Sequence, residues 1–491
     1  MADMNEVDVE KTEELAQVET VTTPVAPQGM RYVHIDEAVQ KRVVRKIDWH
    51  LIPIVMALYR GNIGNAKTAG LNESLHINDA QYQWLLTIFY IPYILFEWLS
   101  MMWKIIPPHI WAFVTVFLWG CAATLQATAF NFSGMMAARF FMALAEAGYG
   151  PGLPYLLSFF YMRTEIGLRC GIFLSGSPLA SCFAGALAYG ITSGHAAIAN
   201  WKLLFIVEGL PSIVMAFVAY FFLPDSPEKA RFLSEEEKEV GKARAIRQVG
   251  EEGAARIGGV KWNEIGEALL DPKNMLTALM YFSCNVSFSS LPVFLPTILK
   301  GMGFSSISAQ GLTAPPYFLA FMMCIISTYI ADRTRQRGLV IFVLSIVGGV
   351  GYVILATTKG TGPRYFAVFL VGAGIFPAIS NILPWVLNNQ GTDTKRGAGM
   401  AILQTIGQCG PILGTRMYPD AEGPYYVKGM AVCAAFMFFN AILALILRTY
   451  LAYLNKQADK NEAALVAAMG GDEKTGNVAT ENEGFGYRNI L

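Results

Sequence analysis

Long stretches without a charged residue constrain the fold of this chain more than any other feature of its sequence. The stretches Asn274–Leu299, Gly301–Ala331 and Tyr365–Gly391 contain no Asp, Glu, Lys or Arg. Each stretch is longer than a transmembrane helix, which needs about 20 residues to cross a bilayer. In lipid only helices and closed barrels satisfy their own backbone hydrogen bonds, and a barrel strand would alternate instead of running apolar. The sequence therefore predicts an all-α membrane protein.

The composition extends this prediction to the whole chain. Hydrophobic residues make up 54% of the 491 residues and charged residues 15%, whereas soluble domains carry about 25% charged residues. This excludes a soluble enzyme, a secreted disulfide scaffold and a disordered protein. The net charge of zero predicts no nucleic-acid partner. The seven cysteines lie in apolar runs without paired spacing, which predicts neither disulfides nor a metal site.

Twelve apolar segments are predicted as transmembrane helices, six on each side of one long polar stretch. They cover residues 47–68, 80–103, 110–129, 133–160, 169–191, 201–223, 275–299, 309–330, 339–357, 365–388, 396–418 and 428–451. This arrangement predicts two pseudo-symmetric six-helix bundles, residues 41–223 and 275–454, joined by a cytosolic loop at 224–274. Residues 1–40 and 455–491 are predicted to be disordered cytosolic tails.

The distribution of basic residues predicts the orientation. Lys and Arg precede the first span and are frequent in the central loop and after the eighth and tenth spans, while the loops at 71–79 and 193–200 contain none. By the positive-inside rule, both termini and the central loop are expected in the cytosol.

Charged side chains inside membrane spans are costly and mark candidate functional sites. Arg139 and Glu146 lie two helical turns apart in the fourth span, so they share a face. An arginine can hold a carboxylate through two hydrogen bonds, and a buried glutamate can carry a proton. The alternative is that each neutralises a charge on a neighbouring helix.

Further polar candidates occur in the first two spans. Arg60, Asn62 and Asn65 form a polar stripe in the first span, which can line a cavity and contact an anion. Glu97, near the end of the second span, is a candidate coupling group.

The spans of the second half are almost uncharged, so the candidates there are neutral. They are Asn285 in the seventh span, Asn381 and Trp385 in the tenth, and Gln404 in the eleventh. Ligand contact is one interpretation, mostly for Asn381. The other is that amide side chains join helices within the membrane.

The segment IADRTRQRG follows the eighth span and contains Asp332, Arg333, Arg335 and Arg337. An acid with neighbouring basic residues can lock adjacent helices by ion pairing, which predicts a gating role. The alternative is simple anchoring of the loop in the cytosol.

These features together resemble the major facilitator superfamily, and within it the fungal anion:cation symporter family of the allantoate permease type. The matching stretches are RGNIGNAKTAG, RFFMALAEAGYGPG, NWKLLFIVEGLPS, LPDSPEKARFLSEEE, VFLPTILKGMGFS, LTAPPYFLAF and ADRTRQRG. The resemblance implies proton-coupled transport of a small, often anionic organic solute across a fungal plasma membrane by a monomer without a cofactor. Arg60 and Asn62 match the Arg-x-Asn of the family's first span, and Arg139 and Glu146 match its fourth-span Arg and Glu.

The first span departs from the family pattern. In the family a longer apolar run ends in an Asp directly before the first-span arginine, whereas here Tyr59 precedes Arg60. The apolar stretch Leu51–Tyr59 forms only about 14 Å of helix, against a hydrocarbon core of about 30 Å. Either the residues up to Lys67 complete the span against a cavity, or coding sequence is missing, or the protein does not transport.

Three functions therefore stay open: proton-coupled uptake of an organic anion, export of a metabolite through the same fold, and sensing without transport. Drug exporters of this superfamily often carry GxxxGPxxGG in the fifth span. Here that span reads GIFLSGSPLASCFAGALAYG, which favours uptake over export. The chain has no GxxxxGKS phosphate loop, so a proton gradient and not ATP is the expected energy source.

Overall fold

The computed structural model describes residues 37–57, 66–67, 69–193, 197–254, 261–468 and 487–491, and these are almost entirely helical. The helices of the first half are α1 Glu37–Ala57, α2 Asp79–Leu95, α3 Pro108–Leu125, α4 Phe132–Tyr149, α5 Ile166–Ser193 and α6 Asn200–Phe222. Those that follow are α7 Glu235–Ala254, α8 Trp262–Leu270, α9 Pro272–Gly301, α10 Ala314–Thr334, α11 Arg337–Thr357, α12 Thr361–Asn388, α13 Asp393–Gly407 and α14 Val427–Ala468.

Some of the helices begin at residues with suitable capping chemistry. The Asn78 side chain accepts a hydrogen bond from the Gln81 backbone N–H at 2.8 Å, and the Gln81 side chain accepts one from the Asn78 N–H at 3.0 Å. This reciprocal pair satisfies two N–H groups that the first turn of α2 leaves without partners. At α9, Asp271 caps the helix and Pro272 occupies its first position, where a missing N–H costs nothing.

Several of the predicted spans consist of more than one helical segment. The chain bends by 49° after α2 and continues as short helices from Glu97 to Ile105. Gly152–Phe160 follows α4, and Cys409–Gly414 follows α13. Within the described part of the chain, eight helices are long and apolar enough to cross a membrane, or nine if the bent pair counts as one span. Of the first predicted span, 47–68, residues 47–57 and 66–67 are described.

α5 and α10 pack closely and so join the first half to the second. A Cβ atom at Gly171 of α5 would overlap the side chain of Thr328 on α10. Small residues at such positions allow helix backbones to approach each other in a membrane. This contact places the two halves side by side around a common space.

The polar stretch between the halves forms α7 and α8, which dock at one end of the helix bundle. The Lys46 Nζ lies 2.7 Å from the Glu237 carboxylate, which holds α7 against the first half. The Lys395 Nζ lies 2.8 Å from Glu267, which holds α8 against the second half. We call the end of the bundle at which α7 and α8 dock the basic end.

The expectation of a disordered tail after Asn455 differs from the structure. α14 continues to Ala468, and residues 487–491 pack against the basic end, where Ile490 is 8% exposed. The polar composition beyond the last span resembles that of a tail, but its Ala, Lys, Glu and Gln residues are also good helix formers. At the other end of the chain, α1 already begins at Glu37, and residues 1–36 lie outside the described residues.

The contact between Lys46 and Glu237 generates a pH-dependent prediction. Burial alone would raise the pKa of Glu237, but hydrogen bonds from Lys46 and Ser234 outweigh it and hold this pKa below its ordinary value. The stabilisation is therefore present above the pKa of the unfolded chain and is lost as the pH falls through the lowered pKa. We expect Glu237→Gln to cost about 1–3 kcal/mol of unfolding free energy at neutral pH and nothing at acidic pH.

Thermal unfolding of the detergent-solubilised protein at neutral and acidic pH measures this difference. Glu239→Gln, which changes an exposed carboxyl on the same helix, serves as the control and should leave both transitions unchanged. Equal losses for the two variants would contradict the importance of the Lys46–Glu237 contact.

Candidate functional site

A cavity of about 810 Å³ lies between the two halves. Its walls come from α2 to α6 of the first half and from α9, α12, α13 and the segment after α13 in the second. The volume is within the range of about 300–1,000 Å³ that is typical of small-molecule sites. Much of the wall is aromatic, with contributions from Phe89, Tyr90, Tyr93, Trp119, Phe173, Phe205, Tyr281 and Phe288.

Arg139 of α4 is the main positive charge on the cavity wall. Its side chain is buried, with the residue 5% exposed, and its Nε donates a hydrogen bond to the Leu85 carbonyl oxygen at 2.5 Å. The guanidinium lies 5.4 Å from the centre of the Phe89 ring, a cation–π contact. Only Nε donates to a described protein group, so the two terminal nitrogens have hydrogen-bonding capacity for a ligand.

Glu146 lines the same cavity and lies within electrostatic range of Arg139 without forming a hydrogen-bonded pair with it. The spacing of seven residues along α4 brings both side chains to one wall, as the shared helical face predicts. Glu208 of α6 also lines the cavity. Three ionisable groups of the first half therefore face the same space.

Glu97 lies beside this cluster and not on the cavity wall. It is fully buried, and neither of its carboxylate oxygens has a hydrogen-bond partner among the described residues. It lies within electrostatic range of Glu146. An ionised carboxylate in such an environment is costly. Glu97, which is buried, and Glu146, which is half-buried on the cavity wall, are therefore two neighbouring acids whose charges oppose each other.

The wall contributed by the second half carries neutral polar groups. Asn285 of α9 and Gln404 of α13 both line the cavity. The Asn285 Nδ2 donates to the Gly407 carbonyl at 3.2 Å, which joins α9 to α13. The Gln404 Oε1 accepts a hydrogen bond from the Gln408 Nε2 at 3.4 Å. Both predicted residues therefore lie on the wall, and Asn285 also joins two helices, whereas the contact of Gln404 lies within one turn of its own helix.

The other residues predicted from the sequence lie elsewhere. On α12 the cavity is lined by Ile379 and Leu383, whereas Asn381 donates to the Ser327 hydroxyl of α10 at 3.0 Å and so joins two helices. Trp385 points to the basic end, where its Nε1 donates to the Ile490 carbonyl at 2.7 Å. The predicted first-span residues Arg60, Asn62 and Asn65 lie outside the described residues.

Two of the four predicted gating residues, Asp332 and Arg337, form a network at the basic end, which we call the gating network. The Asp332 carboxylate accepts a hydrogen bond from the Leu168 backbone N–H of α5 at 2.6 Å and also pairs with Arg337. The Arg337 Nε donates to the Asn388 Oδ1 at 2.9 Å. The Asn388 Nδ2 in turn donates to the Arg163 carbonyl of the first half.

This network binds α5 and the loop before it to α10, α11 and α12, so it closes the space between the halves at the basic end. Gly167 allows the close approach, since a Cβ there would overlap Asp332 and Arg337. Arg333 and Arg335 are exposed, and no contact from them enters the network.

Sequence reasoning missed several residues of the cavity and of the network. The aromatic wall residues lie in apolar runs and carry no pattern that separates a cavity-facing ring from a lipid-facing one. Arg163 and Asn388 lie at the ends of spans, where a basic or amide residue is ordinary. Among the described residues, no group of three or more His, Cys, Asp or Glu side chains is close enough to hold a metal ion.

Comparison with known proteins identifies the fold and the class of function. Residues 50–415 match the family model of the Major Facilitator Superfamily. The chain belongs to this superfamily, and its helices adopt the corresponding fold of two six-helix bundles. The relatives are named as transporters, so the protein is a transporter and not an enzyme.

Two relatives and two solved structures illustrate the similarity. The "MFS transporter prlL" of Fungal sp. (strain NRRL 50135) is 32% identical, over 91% of this chain and 94% of that protein. The "Major facilitator-type transporter hxnP" of Emericella nidulans is 27% identical, over 93% and 94%. The proton:xylose symporter XylE superposes with a TM-score of 0.62 at 12% identity over 84% of this chain and 96% of that chain. The fucose:proton symporter FucP of E. coli gives 0.57 at 14% identity, over 83% and 99%.

The network at the basic end generates a prediction about stability. Asp332→Asn keeps an acceptor for the Leu168 N–H but leaves the buried Arg337 without its counter-charge. Because breaking a buried pair leaves an uncompensated charge, we expect a loss of about 3 kcal/mol in unfolding free energy. Thermal unfolding in detergent measures the loss, and Arg333→Gln, at an exposed neighbour on the same helix, should show none. A melting temperature unchanged in Asp332→Asn would show that the network does not hold the halves together.

Proposed function

We propose that the protein takes up a small organic anion together with a proton. The observation that carries this proposal is Arg139, a buried arginine on the wall of a mostly apolar cavity that several aromatic rings line, with only Nε bonded to a described protein group. Its two terminal nitrogens match the two oxygens of a carboxylate, which they can bind through parallel hydrogen bonds. A neutral solute would leave these two nitrogens without a charged hydrogen-bond acceptor.

The other wall residues favour a small acid with an apolar or planar body. Aromatic rings such as Phe89, Tyr93 and Phe288 offer flat apolar faces, and Asn285 and Gln404 offer amide groups on the wall contributed by the second half. Carboxylates, ureido acids and vitamin-like acids combine these properties. They are the substrate class that we propose.

Proton coupling follows from the acids beside Arg139. Glu146 and Glu97 oppose each other's ionisation because like charges in an apolar environment repel. A carboxylate bound at Arg139 would add another negative charge to the same region. Binding of the anion therefore favours protonation of Glu146, and release of the anion favours release of the proton, which couples the two movements.

We further propose that the basic end faces the cytosol at the plasma membrane, because Lys and Arg are concentrated in the loops of that end. The two halves would move against each other around the fixed cavity. A single chain contains both halves, so a monomer embedded in the bilayer suffices for transport, with the solute as its only other partner.

The role of Arg139 can be tested by Arg139→Lys, which keeps the charge and removes the planar pair of donors. We expect the KM for uptake to rise about 10- to 100-fold, which corresponds to the loss of one hydrogen bond between charged groups. The measurement is uptake of radiolabelled aliphatic, ureido and pyridine carboxylates into proteoliposomes, with the matching carboxamides as neutral probes.

Arg42→Gln, at an exposed arginine of α1, is the control and should leave the KM unchanged. An unchanged KM in Arg139→Lys, or equal uptake of the carboxamides, would refute anion binding at Arg139. Absence of flux for every probe, with binding retained, would favour a sensor over a transporter.

The role of Glu146 can be tested by Glu146→Gln, which removes the titrating group at nearly constant shape. In the unchanged protein, uptake should increase when the outside is made more acidic than the lumen. In the variant this pH-driven accumulation should fall at least about tenfold, because one obligatory charge change is missing, while exchange of labelled for unlabelled solute persists. Glu208→Gln, at another acid of the same wall, is the control. If Glu208→Gln abolishes pH-driven uptake and Glu146→Gln does not, the proton carrier is Glu208.

A further inference from the structure

The segment Tyr487–Leu491 lies across the basic end. In the sequence it is far from the last predicted span, which ends at residue 451. It is polar apart from its last two residues, yet Ile490 is 8% exposed and Leu491 packs against the hydrophobic core. The other four residues of the segment are half-buried, and the segment has specific partners. Those partners belong to both halves of the protein.

Contacts with the second half hold the end of this segment. The Ile490 carbonyl accepts hydrogen bonds from the Trp385 Nε1 at 2.7 Å and from the Asn389 Nδ2 at 3.1 Å. The Ile490 N–H donates to the Asn389 Oδ1 at 2.8 Å. The Leu491 carbonyl accepts from the Gly338 N–H at 3.3 Å, directly beside the gating residue Arg337.

A contact with the first half comes from Arg163. Its guanidinium donates to the Arg488 carbonyl and lies 4.4 Å from the centre of the Tyr487 ring. Arg163 is 9% exposed, and its own carbonyl accepts from Asn388 of the gating network. The segment therefore continues the network that closes the basic end.

The exposed side of the segment is held by α14 beyond its membrane-spanning part. The Arg488 guanidinium donates to both oxygens of Glu462, at 2.9 and 2.6 Å, and to the Asp459 carboxylate at 2.7 Å. The Asn489 N–H donates to the Asn455 Oδ1 at 2.8 Å. Hydrogen bonds with Glu462, and then with Asp459, raise the pKa of Arg488 above its ordinary value, so it stays charged.

We propose that Tyr487–Leu491 is an autoinhibitory clasp, which holds the two halves together at the basic end and lowers the fraction of molecules that open there. Opening moves Arg163 away from α12, so the segment must lose its contacts with one half. Each charge-assisted hydrogen bond lost in this step favours the closed form by about tenfold. The clasp does not depend on which solute is transported, and it acts in the absence of solute.

Charge reversal at Arg488 tests the clasp without changing any residue of the cavity or of the gating network. Arg488→Glu places an acid beside Glu462 and Asp459 and should release the segment. Combining Arg488→Glu with Glu462→Arg restores a pair of opposite charges, so the segment should bind to the basic end again. Lys428→Glu, which breaks an exposed ion pair with Glu422 at the other end of α14, is the matched control.

The readout is the distance distribution between two spin labels at Thr164 and Thr334, which are both exposed at the basic end. The exposed Cys409 is replaced by serine, and the measurement is made in detergent without solute. Arg488→Glu should increase the long-distance population about tenfold, the double variant should return it to the starting value, and Lys428→Glu should not change it. Deletion of residues 487–491 should reproduce the increase. An unchanged distribution in both Arg488→Glu and the deletion, or a double variant as open as Arg488→Glu, would overturn the proposal. Because no solute is present, these outcomes are independent of the uptake tests of Arg139 and Glu146.

Discussion

The need to neutralise charge inside an apolar body governs how this protein is organised. Most of its charged residues lie outside the helix bundle, and each one that lies inside requires a partner. At the basic end, Arg337 satisfies this need with Asp332 and the amides of α12. On the cavity wall, Arg139 satisfies it only in part, because its Nε is bonded and its terminal nitrogens are available. The difference separates a charge that holds the structure together from one that can receive a ligand.

The same requirement explains why the two halves meet differently at different depths. Near the basic end, the Asp332 carboxylate bridges the backbone of α5 and the Arg337 side chain, so the halves are joined by buried hydrogen bonds. Farther along α5, the space between the halves widens into the cavity. Hydrogen-bonded networks of this kind have few intermediate arrangements, because partial separation leaves buried polar groups without partners. The basic end is therefore stable either fully closed or fully open. Movement of the two halves around a central site requires two such states.

Hydropathy alone predicted most of the fold, because long apolar runs leave the chain little choice in a bilayer. The seventh span, expected at 275–299, forms Pro272–Gly301, and the tenth, expected at 365–388, forms Thr361–Asn388. The polar part of α14 was missed because an exposed helix and a disordered tail share their composition. Helical spacing correctly placed Arg139 and Glu146 on one wall, since that relation is local. The surroundings of Asn381 and Trp385 depend on which neighbours cover each face of α12, and a helix that is apolar all round gives no pattern from which to predict this.

Trp385 shows that an aromatic residue within a predicted span can have a structural partner instead of a place on the cavity wall. An indole within a span suggested contact with a solute, but its N–H needs an acceptor when it is buried. On α12 that acceptor is the Ile490 carbonyl of a segment more than a hundred residues later in the chain. No periodic pattern connects the two, because the segment has neither the length nor the hydrophobicity of an ordinary structural element. Its contacts are backbone groups and charges at the basic end, which is where a short polar segment can bind without the cost of burying charge in lipid. The aromatic groups that line the cavity and those that hold the closed end are thus distinguished by their partners and not by their place in the sequence.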